Sequence, residues 1–303
     1  MKTTRRRFLA ISAAAFASPG LAAAQPVYTW EGVALGARAT LRLAHPDAPA
    51  ISARVATEIS RLEDIFSLYR PDSAVSRLNR AGALTAPPFE LLECLSLAGA
   101  VHGASDGVFD PTIQPLWACY GNAATAGTLP DQTAIETARA LTGWDRVTVG
   151  ATAITLRPGM ALSLNGIAQG YIADRVADML RAEGLNDILI NTGEFRAMGA
   201  QPDGLPWPVK LTSGGTVPLA SRALATSAPL GTTFDEDAQM GHILDPRSGL
   251  PCASQWREVT ISANTAALAD ALSTAACLFQ TRAEIEACLA QFQDTRLEAA
   301  IPV

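Results

Sequence analysis

The chain has 303 residues, 49% of them apolar, and a formal net charge of −6, so it can bury a sizeable core and has no basic excess. That acidic balance, with no basic stripe, excludes nucleic acid as a partner and electrostatic attachment to anionic lipid. Five cysteines (Cys94, Cys119, Cys252, Cys277 and Cys288) without a CxxC pair argue against a metal–thiolate or redox motif.

In chain order the first element is an address. TRRRFLA, Thr4 to Ala10, sets two arginines, a variable residue and an apolar pair ahead of the apolar ISAAAFA and an AAA stretch, and no acid precedes Glu31. This predicts a twin-arginine export signal over 1–24, cleaved after Ala24, and a periplasmic protein. The apolar run is too short to span a bilayer stably, so the mature chain is read as not membrane-spanning. Losing Lys2, Arg5, Arg6 and Arg7 with the signal leaves 19 basic residues against 29 acidic ones. No low-complexity linker divides residues 25–303, which are read as one large domain or two intimately packed lobes. Export permits a disulfide, which no spacing demands.

The mature chain mixes α and β patterns. ARATLRLA alternates as a strand, and Ile51 to Leu68 carries Val55, Ile59, Leu62, Ile65 and Phe66 at helical spacing. Leu91 to Val101 predicts a helix, and RVTVGATAITLRP a hairpin turning at Gly150. GMALSLN predicts a strand, Ile172 to Glu183 a helix closed by Gly184, and DILINTG another strand, making 160–193 a strand, helix, strand unit. WREVTISA predicts a strand before a last apolar helix from about Ala266.

Four stretches place polar residues in apolar company. In LSLNGIAQGYIADRV, Gly166 and Gly170 bracket a turn that fits neither GxGxxG nor a P-loop. Such a turn offers backbone for close approach of a ligand and helix N-terminal amides for an anion, or it serves packing alone. In NTAALADALSTAACLF, Asp270 and Thr274 share a helical face; an oxygen-only pair suits magnesium, while a capped or solvent-facing Asp is the plainer alternative. GHILDPRSGLP gathers His242, Asp245 and Arg247 in a turn-rich segment. In GVFDPTIQPL, Phe109 can flank a ring and Asp110 fix a polar edge, although Asp-Pro-Thr is also a helix-start signal. YRPDSAVSRLN adds Tyr69 and a cappable helix start.

The order YRPDSAVSRLN, GVFDPT, LNGIAQGYIADR, NTGEFRAMG, HILDPRSG and AALADALSTA, across residues 35–280, resembles the ApbE family of FAD:protein FMN transferases. The resemblance implies an α+β, two-lobed fold with the flavin nucleotide between the lobes. It implies a magnesium-dependent enzyme that takes FAD as substrate, releases AMP and attaches FMN to a Thr or Ser hydroxyl of an exported or periplasm-facing acceptor. It also implies flavin-nucleotide contacts at Leu35, Tyr69, Val108, Phe109, Asp110, Ser163, Gln169 and Leu244, and magnesium ligands at the Gly166 carbonyl, Asp270 and Thr274. Ser163 and Gln169 stand where the family commonly has Asp and Lys. Losing both preserves local charge balance, but Gln169 offers phosphate only neutral hydrogen bonds, roughly half as strong as charge-assisted ones. The chain resembles, more narrowly, the NosX-type branch that flavinylates a membrane regulator of nitrous oxide respiration.

Phosphoryl-transfer logic makes magnesium the main electrostatic lever and His242 the candidate base or proton relay, with Asp245 as its candidate orienting partner. Two rivals share the residues: an FAD pyrophosphatase with water as nucleophile, and a flavin carrier needing neither metal nor turnover. SGGT, Ser213 to Thr216, resembles a flavinylation signature but reads as a turn.

Overall fold

A computed structural model describes residues 26–303, so the export segment lies outside the described residues. The chain opens with β1 (Tyr28–Ala34) and β2 (Ala37–Leu43), then α1 (Ala48–Phe66), α2 (Ala74–Ala81), β3 (Ala83–Thr85) and α3 (Phe89–Ala104). A 3-10 turn (Pro111–Ile113) leads into α4 (Gln114–Thr125) and α5 (Gln132–Arg139), followed by β4 (Thr148–Val149), β5 (Ala153–Thr155) and α6 (Ala168–Ala182). Then come β6 (Ile188–Asn191), β7 (Phe195–Met198), β8 (Trp207–Lys210), β9 (Thr216–Leu219), β10 (Ala223–Ser227) and β11 (Trp256–Ala263). The chain ends with α7 (Ala266–Ala276), α8 (Arg282–Leu289) and β12 (Arg296–Pro302).

Seven strands form one sheet in the order β1-β2-β6-β7-β10-β11-β12, with every pair antiparallel. Alternation decides what each face buries. Ile188 and Ile190 of β6, Met198 of β7 and Ala223 and Ala225 of β10 face the main core, which they share with buried residues of α1, α3, α6 and α7. Leu189, Ala197 and Leu224 face the other way, into a smaller cluster closed by Trp207, Val209 and Leu219 of the β8–β9 hairpin. Helices segregated on an antiparallel sheet make this an α+β fold, as the resemblance implies. A third cluster joins Leu116 and Tyr120 of α4 to Ile135 and Ala138 of α5 and to Leu244. The SGGT segment is the β8–β9 turn, with Gly214 and Gly215 at positive φ.

The strand at 37–43, the helices at 48–66 and 89–104, the hairpin at Gly150, the strand at 256–263 and the helix from Ala266 lie where periodicity places them, but that helix is not the last element, since α8 and β12 follow it. Helix α6 begins four residues before the predicted Ile172 and ends, as predicted, with Gly184 at positive φ. The GMALSLN strand is a correction, because residues 160–165 form no ladder. Leu162 instead has both backbone groups taken by the Asn79 side chain, at 2.7 and 2.8 Å, and Ser163 N–H donates to the Pro111 carbonyl. The segment is extended and buries Met160, Leu162 and Leu164, so it alternates like a strand without being one. Residues 160–193 are therefore loop, helix, strand. All five thiols are free, and no described helix is long and apolar enough to cross a membrane.

Candidate functional site

A cavity of about 360 Å³ lies between the main core and the α4–α5 cluster. Phe109, Ile113, Trp117 and Leu244 supply apolar wall, while Glu194, Asp270 and the Gly166 turn supply polar wall. Of the residues singled out in the sequence, the structure brings Val108, Phe109, Asp110, Ser163, Gly166, Gln169, His242, Leu244, Asp270 and Thr274 to this one space.

Each is held by its own element. Phe109 is fixed at both backbone ends: its N–H donates to Ser105 Oγ, and its carbonyl lies 2.9 Å from His102 Nδ1. Asp110 serves the helix start that Asp-Pro-Thr signals, accepting from Thr112 N–H at 2.8 Å and from the Thr112 hydroxyl at 2.6 Å, and it also lines the cavity. Ser163 is tied to the same turn through Pro111.

The glycine turn owes its composition to close approach. A Cβ on Gly170 would fall 2.2 Å from the Ala266 carbonyl oxygen, so only glycine lets α6 start against the first turn of α7. The Gly170 N–H has no carbonyl of its own helix to meet, being in the first turn, and donates to Asp270 Oδ2 at 3.2 Å. One helical turn on, Asp174 accepts from Ala266 and Ala267 N–H, at 2.9 Å each, and pairs with Arg196 at 3.3 Å. Two residues of α6 thus clamp the helix that carries Asp270 and Thr274. Gly166 meets α7 from the side, where a Cβ would stand 2.9 Å from Thr274 Oγ1.

The polar wall is strongly acidic. Asp270 is 3% exposed, and burial pushes its carboxyl up, opposed by the Gly170 amide. Glu194, in the β6–β7 turn and 9% exposed, is also pushed well up, first by burial and then by Asp270; one oxygen accepts from Thr226 N–H. No Lys or Arg lines the cavity among the described residues. Two buried acids without a cation are costly to ionise, and a divalent ion bound beside them would relieve that cost. Among the described residues no three His, Cys, Asp or Glu side chains cluster as a metal site. The candidate donors are mixed and all oxygen: a carboxylate, a hydroxyl and a backbone carbonyl, which fits magnesium's preference for hard ligands.

His242 Nδ1 lies 3.0 Å from the Thr232 carbonyl. A carbonyl only accepts, so Nδ1 carries the proton and the neutral ring has its lone pair on Nε2. Burial holds this imidazole below its ordinary pKa, against the Thr232 and Pro229 carbonyls. Asp245 is not its orienting partner, contrary to the expectation from its place in the same turn-rich segment. Its carboxylate accepts from Arg247 N–H and guanidinium, at 2.8 Å each, and it stays outside the cavity wall.

Leu35 and Tyr69 also lie outside the wall. Tyr69 is 76% exposed. Leu35, at positive φ, donates its N–H to Glu63, which also holds Arg70, so the two flanks are tied to each other. Trp117, Thr226 and Ser227 join the wall without being marked by any motif, and Glu194 joins it from within NTGEFRAMG, where the resemblance gives it no role. Only Glu194 carries a signal in the sequence, a charged residue directly after the turn glycine Gly193.

The family model described as the ApbE family matches residues 35–301. The FAD:protein FMN transferase of Klebsiella pneumoniae (strain 342) is 32% identical over 247 residues, covering 78% of this chain and 77% of that protein. That of Vibrio cholerae (serotype O1, strain O395) is 29% identical over 265 residues, covering 80% and 78%. The apo crystal structure of Pseudomonas stutzeri flavinyl transferase ApbE superposes with a TM-score of 0.78 at 28% identity, covering 88% of each chain.

Proposed function

The chain belongs to the ApbE family and is, we infer from that membership together with its site, an FAD:protein FMN transferase. In detail, we propose that FMN passes from FAD to a Thr or Ser hydroxyl of an acceptor protein, with release of AMP. The observation that carries this reading is one cavity joining the apolar wall of Phe109, Ile113 and Trp117 to the glycine turn and the buried acids Asp270 and Glu194. A planar ring system fits the first part, and a diphosphate with its counter-ion fits the second.

In the proposed reaction the acceptor oxygen attacks the FMN-side phosphorus, the bond from that phosphorus to the AMP oxygen breaks, and AMP leaves. The acceptor hydroxyl gives its proton to His242 Nε2, whose lone pair is available because Nδ1–H is spent on Thr232. Asp270, Thr274 and the Gly166 carbonyl would hold magnesium, which supplies charge neutralisation on the diphosphate when bound. Gln169, pressed over Gly193 and with its own carbonyl held by the Thr192 hydroxyl at 2.7 Å, presents a neutral amide where the family commonly has a cation.

The proposed setting is the periplasm, reached by the twin-arginine signal of residues 1–24. The NosX-type likeness makes the membrane regulator of nitrous oxide respiration the first acceptor to try. Replacing Arg5 and Arg6 by Lys should leave the protein in the cytoplasmic fraction; unchanged export would reject the route. Intact mass of an acceptor domain incubated with mature protein, FAD and magnesium tests the chemistry. The expected result is a gain of one FMN. Free FMN and AMP without a mass gain would make the protein a pyrophosphatase, and no consumption of FAD would make it a carrier.

A further inference from the structure

Beneath the proposed cation site lies a row of three hydroxyls. Ser273 Oγ donates to the Asp270 carbonyl at 3.0 Å, Ser227 Oγ lies 2.7 Å from Ser273 Oγ, and Thr274 Oγ1 lies 3.3 Å from Ser227 Oγ. Each hydroxyl has one proton to give. Ser273 spends its proton on a backbone carbonyl, which cannot return one, so toward Ser227 it only accepts. Ser227 must then give its proton to Ser273, and toward Thr274 it only accepts. Thr274 in turn gives its proton to Ser227, so what its oxygen has left to present is lone pairs. Direction is therefore set from the helix backbone outward, although neither short contact defines a donor on its own.

We propose that Ser227 and Ser273 are positioning residues that turn Thr274 into an acceptor-only ligand for the divalent cation, fixing its hydroxyl proton away from the ion. The proposal rests on the reading that Asp270, Thr274 and the Gly166 carbonyl hold that cation. Ser227 ends β10 and lines the cavity, whereas Ser273 is fully buried on α7, so the row joins sheet to helix across the site. Gly166 crowds the same oxygen closely enough that its Cβ would stand 2.9 Å away. Thr274 Oγ1 is thus bounded on one side by the turn and on another by the hydroxyl row, which fixes both its place and its polarity. Outer partners of this kind commonly govern metal affinity.

The test uses Mn²⁺ alone as probe, titrated by electron paramagnetic resonance into the mature protein without FAD. Ser227→Ala is expected to weaken Mn²⁺ binding about ten- to hundred-fold, the usual range for losing an outer partner. Ser227→Thr, which keeps the hydroxyl, should restore most of it. Ser273→Ala frees the Ser227 proton to turn toward Thr274 and should weaken binding in the same direction; it decides the matter should Ser227→Ala misfold. Asp270→Ala separates the two readings. If it binds Mn²⁺ as the unaltered protein does, the cation site itself is wrong and the hydroxyl row falls with it. If Asp270→Ala loses binding while Ser227→Ala and Ser273→Ala both keep it, the cation site stands and the row is overturned.

Discussion

Two walls of the cavity reach the same space by different means. The wall of α6 and α7 is helix backbone against helix backbone, with Gly170 admitting the contact and Asp174 and the Gly170 amide fixing it by buried bonds. The wall of residues 228–244 is a loop held by its own turns: Gly231 to Ala228, His242 to Thr232, Phe234 to Met240, and the Asp235 carboxylate over Gln239 and Met240. The first carries Asp270 and the other candidate metal ligands, and the second carries the candidate base. The candidate metal ligands thus sit where nothing moves without breaking a buried bond, while the candidate base sits on a loop tied chiefly to itself.

Asp270→Ala strikes the wall of α6 and α7 and should have the largest effect. FMN transfer is expected to fall by about 10⁴-fold or more, because a bound metal supplies several kcal/mol and about 1.36 kcal/mol is tenfold in rate. Intact-mass kinetics measure it. His242→Ala strikes the other wall and should slow transfer about 10²–10³-fold while leaving Mn²⁺ binding unchanged. The pH profile bears on the same residue: with His242 as the proposed neutral base, the rate should fall as pH drops through its pKa. Burial holds that pKa under the ordinary 6.5, and the acid limb should therefore lie below 6.5. A limb at or above 6.5 would remove His242 from the role.

Asp174→Ala attacks the clamp without touching the cavity wall. It orphans two α7 amides and leaves Arg196 buried without its partner, so stability should drop by about 3 kcal/mol in denaturant unfolding. A change below about 0.5 kcal/mol, the range of an ordinary surface substitution, would show that the clamp does not hold α7. The smallest effect is expected of Gln169→Lys, which restores the family's usual cation beside the acids. A charge-assisted bond in place of a neutral one should tighten FAD roughly three- to ten-fold by titration calorimetry. No gain would mean that Gln169 does not face the phosphates.

How much of the fold and site is legible in the sequence follows from which interactions are local. Helical spacing marks α1, α3, α6 and α7, and the i, i+4 spacing of Asp270 and Thr274 is by itself enough to put both on one face of α7. The 160–165 segment misleads because its alternation records burial, whereas whether a ladder or the distant Asn79 takes up its backbone is decided 83 residues away. Glu194, Trp117 and Ser227 come from three separate elements and meet only through sheet order and the α4–α5 cluster, so no window of sequence holds them together. Asp245 fails as a partner for His242 for the opposite reason. Two residues on, Arg247 closes the same turn and takes the carboxylate.

In the proposed reaction the acidic cavity, lined by no Lys or Arg among the described residues, receives a diphosphate only together with a divalent cation. Calorimetric titration of FAD into the mature protein, with magnesium and then with a chelator, tests it most directly. Binding in magnesium should weaken at least about tenfold in the chelator, the scale of losing one charge-assisted contact of roughly 1.4 kcal/mol or more. Equal affinity in both would contradict the claim, and would place the FAD phosphates away from Asp270 and Glu194.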